Sequence, residues 1–156
     1  MTEADTFRSE RRAQIVQRVI DKTSVDEAMI RQVVHDFYAK VRRDALLGPI
    51  FARAIGEDWD KHLAKMCDFW SSVMLMSGRY KGNPMTAHMR LKTARPAHFE
   101  RWLELFRQSA TDTCPPEAAV AFVMRAENIA RSLQLGMFFR PEPQDRKSDT
   151  TVGRLE

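Results

Sequence analysis

The stretch WDKHLAKMCDFW, residues 59–70, decides how the rest of the chain is read. At helical spacing Trp59, Leu63, Met66 and Trp70 run on to Val73 along one apolar face. His62 falls on that same face, one turn after Trp59 and one turn before Met66. An imidazole aimed into the core of its own helix has two explanations. Either a neighbouring polar group satisfies it, or something that needs a nitrogen is buried there.

The bulk numbers keep both explanations open. A chain of 156 residues fits one domain. Such a domain buries roughly two-thirds of the surface its unfolded chain exposes, so neither metal nor disulfide is needed to make a core. Apolar residues make up 44% and charged residues 29%, an ordinary globular balance. The six glycines are scattered singly, which argues against a strand-and-turn protein. Nine Met and nine Phe suit an adaptable apolar pocket, although Met is also ordinary core filler. The net charge of +4 comes from interleaved acids and bases, with no basic stripe to read phosphates, so no nucleic-acid partner is expected. Cys67 and Cys114 lack both CxxC and metal-ligand spacing. Two such thiols, behind an N-terminus whose arginines precede no apolar stretch, read as reduced and cytoplasmic. No run approaches the ~18 apolar residues of a membrane span.

Every periodic segment reads as helix. Residues 1 to 8 look loose, and Ile15, Val16, Val19 and Ile20 make a short amphipathic helix. Ser24 with Glu27 three residues on is a capping signature. Met29, Ile30, Val33, Val34, Phe37 and Val41 form the next stripe, "LLGP" ends it, and Phe51 follows in a short bend. The second strong helix spans about Asp58 to Ser77, with Gly78 as its stop. Asn83 and Pro84 read as N-cap and first position of a short helix reaching about Arg90. Pro96 opens a helix with Phe99, Trp102, Leu103 and Phe106, and "CPP" ends it. The last helix carries Val120, Phe122, Val123, Ala126, Ile129, Ala130 and Leu133 to about Phe139. The fold class is all-α: an N-terminal extension over 1–23, a domain over 24–140, and a polar tail over 141–156 expected to be disordered.

Four residues fit a plain core poorly. Tyr38 borders the first stripe, His62 lies inside the second, His88 sits among Met85, Met89 and Leu91, and Trp102 lies between Phe99 and Phe106. Each buried donor left without a partner would cost roughly 1–3 kcal/mol. Either these groups satisfy one another or they surround a polar ligand. His62 and His88 stand on separate helices, without HExxH spacing and without a carboxylate or thiolate to complete a zinc site. Two histidines from facing helices can instead bracket a planar metallocofactor. The absence of CxxCH excludes covalent haem attachment.

From about Asp26 to Phe139 the chain resembles the truncated haemoglobins, most closely their third group. The resemblance rests on DFYAKVRRDALLGPIF, WDKHLAKMCDFW, YKGNPMTAHMRL and HFERWLELF, in that order and spacing. It implies a two-over-two helical sandwich around non-covalent haem b. It further implies that His88 is the proximal iron ligand and His62 the distal histidine, itself a candidate sixth ligand. Tyr38 matches the distal tyrosine, Phe37 the aromatic before it, and Met66 the apolar distal residue. Phe51 matches a phenylalanine that packs on the haem face, and Trp70 and Trp102 the tryptophans near the haem edge and distal pocket. Met85 and Met89 line the proximal side, and Lys65, Arg79 and Arg90 are candidate propionate partners or plain surface charges. The chain departs from the family in its longer charged N-terminal extension and its polar tail.

The function implied is reversible binding of O2, NO or CO, with Tyr38, Trp102 and His62 as distal groups. An alternative is turnover at the same iron, by NO dioxygenation, peroxidase-type chemistry or nitrite reduction. No flavin or nicotinamide fingerprint is present, so turnover would need a separate reductase. A haem-free helical interaction module is the third reading. The expected assembly is a monomer or a weak dimer.

Overall fold

The computed structural model of the chain describes residues 2–84 and 94–138, without the side chains at 16, 17 and 19–22. Among the described residues there are helices and no strands: α1 (Glu3–Thr23), α2 (Glu27–Arg43), α3 (Leu47–Ile55), α4 (Trp59–Leu75), α5 (Pro96–Thr113) and α6 (Pro116–Phe138). The helix α2 lies at the centre, packed against α3, α4 and α5, while α5 and α6 form a hairpin. The α2–α4 pair and the α5–α6 pair make the two layers of the expected sandwich. The central place of α2 explains why its apolar arc is wide: Ile30, Val33, Val34, Phe37, Tyr38 and Val41 are all buried.

The cap of α2 differs from the sequence expectation. Asp26, not Ser24, caps the helix, its carboxylate accepting the Met29 N–H at 2.8 Å. Ser24 has φ +57°, two residues before the cap. Glu27 does not reach back to it. Instead its carboxylate accepts from the fully buried Ser71 hydroxyl at 2.6 Å and pairs with Arg79 at 3.4 Å. A second tie joins α2 to α5, where Lys40 Nζ pairs with Asp36, with Asp112 at 3.1 Å and with the buried Ser109 hydroxyl at 3.2 Å.

Phe51 sits in the helix α3 rather than in a bend. "LLGP" starts this helix because Pro49 occupies its first turn, where the missing N–H costs nothing. Asp44 supplies the acceptors, taking the Leu46 and Leu47 N–H groups at 3.1 and 2.9 Å. Gly48 lets α3 turn tightly beneath α2, since a Cβ there would come within 3.0 Å of the Arg42 carbonyl oxygen.

Asp44 also accepts from Arg101 at 2.8 Å and is only 6% exposed. Its own burial pushes its carboxyl pKa up, but the Arg101 and Leu47 hydrogen bonds and the Arg101 charge outweigh this and hold it below the ordinary carboxylate range. A depressed folded-state pKa stabilises the protein above the unfolded value of about 3.9, and the gain is lost as pH falls through the folded value. Acid unfolding followed by circular dichroism should therefore contain a component below about pH 4 that Asp44→Asn removes.

Other elements are shifted rather than absent. The helix α1 begins at Glu3, so the residues read as loose are helical and the helix is long. Thr2 starts it, its carbonyl accepting from Asp5 and Thr6, with Glu3 and Asp5 at the positive end of the helix dipole. It packs on α4 and α6. The helix α4 stops at Leu75, before Gly78, with Met76 left-handed at φ +55° and the Tyr80 N–H folding back onto the Ser72 hydroxyl at 2.9 Å. In α6 the buried row is Ala118, Ala119, Phe122, Ala126, Ala130 and Leu133, and Val120, expected inside, is 59% exposed. Alanines at this contact let α6 lie close to α5. Pro84 is helical, as expected, but the rest of the short helix and the polar tail fall outside the described residues. Among the described residues no helix is long and apolar enough to cross a membrane.

Candidate haem pocket

The helix α2 turns Tyr38 inward, where it is 6% exposed. Burial, with the nearby Cys67 thiol adding to it, pushes the phenol pKa above its ordinary value. The group is therefore an O–H donor throughout the neutral range. His62 meets it from α4, with ring centroids 5.0 Å apart and planes at 90°. The His62 Nε2 atom is buried. Phe51 closes one side at 6.0 Å from Tyr38 and Trp59 another at 6.2 Å. Met66 is half-buried against the same core.

Phe37 links this group to the hairpin. It lies edge-on to Tyr38 at 5.0 Å, to Trp102 at 5.5 Å and to Phe106 at 5.3 Å. Trp102 stacks on Phe106 at 5.5 Å with planes 14° apart. The structure thus brings together Phe37, Tyr38, Phe51, His62 and Trp102 in one run of ring contacts. Trp70 sits deeper, 3% exposed, stacked on Phe106 at 4.8 Å and tilted against Phe122 at 5.9 Å. Lys65 and Arg79 are exposed. Arg79 and Glu27 also line a groove of about 380 Å3 between α2 and α4, with Arg31, His35 and Cys67. His88, Met85, Met89 and Arg90 lie outside the described residues.

Trp59 is a pocket residue that the sequence reading treated only as part of a stripe. It lies edge-on to His62 at 6.1 Å, with the Arg42 guanidinium 4.5 Å from its ring centre. Its place one turn before His62 was the available signal. Phe106 was likewise read as core; it stacks on Trp102, one turn earlier on the same helix, and on Trp70 from α4.

The donor set suits a flat apolar group that carries a small polar ligand. A phenol O–H and a buried imidazole nitrogen face a wall of Phe, Trp and Met. Among the described residues no three His, Cys, Asp or Glu side chains converge to hold a bare metal ion. The relatives agree. The family model for bacterial-like globins matches residues 19–133. The group 3 truncated hemoglobin ctb of Campylobacter jejuni is 37% identical over 114 residues, covering 71% of this chain and 90% of that protein. The crystal structure of the group III truncated hemoglobin from Campylobacter jejuni superposes with a TM-score of 0.70 at 35% identity, covering 73% of this chain and 92% of that one. Globins of this family carry haem b non-covalently. In sequence over most of its length, and in the layering of its helices, the chain belongs to the bacterial-like globin family, among the truncated haemoglobins of the third group.

Proposed function

We propose that the chain binds haem b through His88 and holds a diatomic gas, O2 first, in the pocket formed by Tyr38, His62 and Trp102. When bound, haem supplies an iron with a coordination position open to such a molecule. The observation that carries the reading is the Tyr38–His62 pair, a buried phenol and a buried imidazole nitrogen meeting at 5.0 Å inside aromatic walls. In that low-dielectric setting the Tyr38 O–H and the Trp102 Nε1–H donate to a partly negative ligand atom more strongly than they would in water. His62 acts as a third polar contact or as a gate. Phe51, Trp59 and Met66 exclude water. Lys65, Arg79 and Arg90 belong to the proposal as propionate partners, and Arg79 would exchange or share its pairing with Glu27.

The direct test is haemin titration of the purified chain. A Soret band saturating at one haem per chain is expected, and a chain that stays colourless overturns the reading. A finer test uses Tyr38→Phe and Trp102→Phe. Each removes one donor, and Phe keeps most of the volume, more closely for Tyr than for Trp. A hydrogen bond to a charged group is worth roughly 1.5–3 kcal/mol, so O2 release should quicken about 10- to 150-fold if the loss falls wholly on dissociation. The double variant should show less than the combined effect, because both donors serve one ligand. Unchanged stopped-flow release in all three variants would leave His62 as the group that holds the gas. Peroxidase-type turnover at the same iron is a second reading, favoured by the string of oxidisable rings described next.

A further inference from the structure

The chain has two tyrosines and three tryptophans, and all five lie in one connected set of ring contacts. Trp59 joins Tyr38 at 6.2 Å on the pocket side. From Tyr38 the contacts pass to Phe37 at 5.0 Å and to Trp102 at 5.5 Å. Trp102 and Trp70 are separated by one ring, Phe106, which stacks on both with planes within 17°. From Trp70 the contacts continue to Phe69 at 5.7 Å and end on Tyr80 at 5.2 Å. Trp70 is buried, whereas Tyr80 is half-exposed in the segment after α4. Its hydroxyl rests where a side chain at Gly82 would have to stand. Indole and phenol rings lose an electron far more readily than any other ring in the set. Each oxidisable ring here is separated from the next by no more than one phenylalanine.

We propose that Tyr80 is a surface oxidation site, joined to the pocket through Trp102 and Trp70, at which small one-electron reductants of the phenol or ascorbate class deliver electrons. The proposal rests on the haem reading, since the oxidising equivalents come from hydrogen peroxide at the bound iron. Tyr80 passes one electron inward along the string and releases its phenolic proton to solvent. A reductant molecule at the surface restores both, and is itself oxidised by one electron with loss of one proton. Two such molecules balance one hydrogen peroxide, which takes up two electrons and two protons and leaves as two waters. A reductant can therefore be used without entering the pocket.

The test uses the full-length haem-loaded chain, its Soret band recorded first. One equivalent of hydrogen peroxide is added with a nitrone spin trap, and the adduct is mapped by peptide mass spectrometry. The expected result is an adduct on Tyr80, lost for the most part in Trp70→Phe and returned in Trp70→Tyr, which restores an oxidisable ring. Equal labelling of Tyr80 in Trp70→Phe would mean that the radical arrives through solvent, and overturns the proposal. So does labelling that avoids Tyr80. If Trp70→Phe fails to take up haem, frozen-sample electron paramagnetic resonance of the wild type and Tyr80→Phe decides. A tyrosyl signal lost in Tyr80→Phe supports Tyr80 as the oxidation site, and one that persists, or is absent from the wild type, overturns the proposal. A wild-type chain with no Soret band overturns the haem reading along with this one, whereas a normal Soret band with unchanged labelling overturns the string alone.

Discussion

Phe106→Ala is expected to lower the unfolding free energy by about 3–5 kcal/mol, the usual cost of emptying a buried aromatic site. Phe106 has no exposure and touches rings from three other positions: Trp70 at 4.8 Å, Trp102 at 5.5 Å and Phe37 at 5.3 Å. Two parts make up the loss. One is the transfer of the ring out of water, together with the cavity left behind. The other is the set of ring pairs, each worth about 0.5–1.5 kcal/mol beyond area. The neighbours come from α2, α4 and α5, whose positions are fixed by their own packing, so the site has little freedom to collapse. Phe99→Ala is the internal comparison. Phe99 belongs to a smaller cluster with Ala130 and Leu133, and its ring meets only Phe138, at 6.1 Å, among the described rings. Its loss should cost less. Urea unfolding of both variants with unchanged slope checks the ranking. A Phe106 loss below about 1 kcal/mol would show that Trp70 and Trp102 close over the gap.

Much of this arrangement was legible in the sequence because it is periodic. Ile30, Val33, Val34, Phe37 and Val41 repeat at helical spacing, and all of them are buried. His62 stood out for the same reason, as a polar residue in phase with an apolar row. The misread positions share a different cause, in that local signals competed. Ser24 and Asp26 both offer a capping oxygen, and the residue adjoining Glu27 took the role. "LLGP" contains two residues that usually end helices, yet Pro49 in a first turn begins one. Val120 outweighed Ala118 as an apolar signal, although Ala118 is the one that is fully buried. The stacking of Phe106 on Trp70 could not be read at all. It joins residues from two helices whose crossing no local pattern fixes.

His88→Ala should abolish haem retention, while His62→Ala should keep the haem and change how gas enters. The two imidazoles differ in what holds them. His62 is built into α4, a helix of 17 residues anchored by buried Trp70, Met74 and Leu75, and its ring already rests against Tyr38 and Trp59. Those contacts commit it to the pocket wall whether or not haem is bound. His88 lies outside the described residues, and its role rests on the resemblance and on the helix expected to start at Asn83-Pro84, of which Pro84 is seen to be helical. Losing the outer partners of a metal ligand costs about 10- to 100-fold in affinity, so losing the ligand itself should cost more than that. Gel filtration of haem-loaded protein and transfer of haem to an apoglobin acceptor read this loss directly. A further arm separates ligation from folding. Free imidazole added to His88→Ala should restore the Soret band, because the small molecule can occupy the space the side chain vacated. Imidazole would do nothing for a variant that had merely unfolded. If His62→Ala sheds haem while His88→Ala retains it, the proximal and distal assignments are reversed. Tyr38 would then lie on the side of the iron ligand, and its role as a donor to the gas would fall with it.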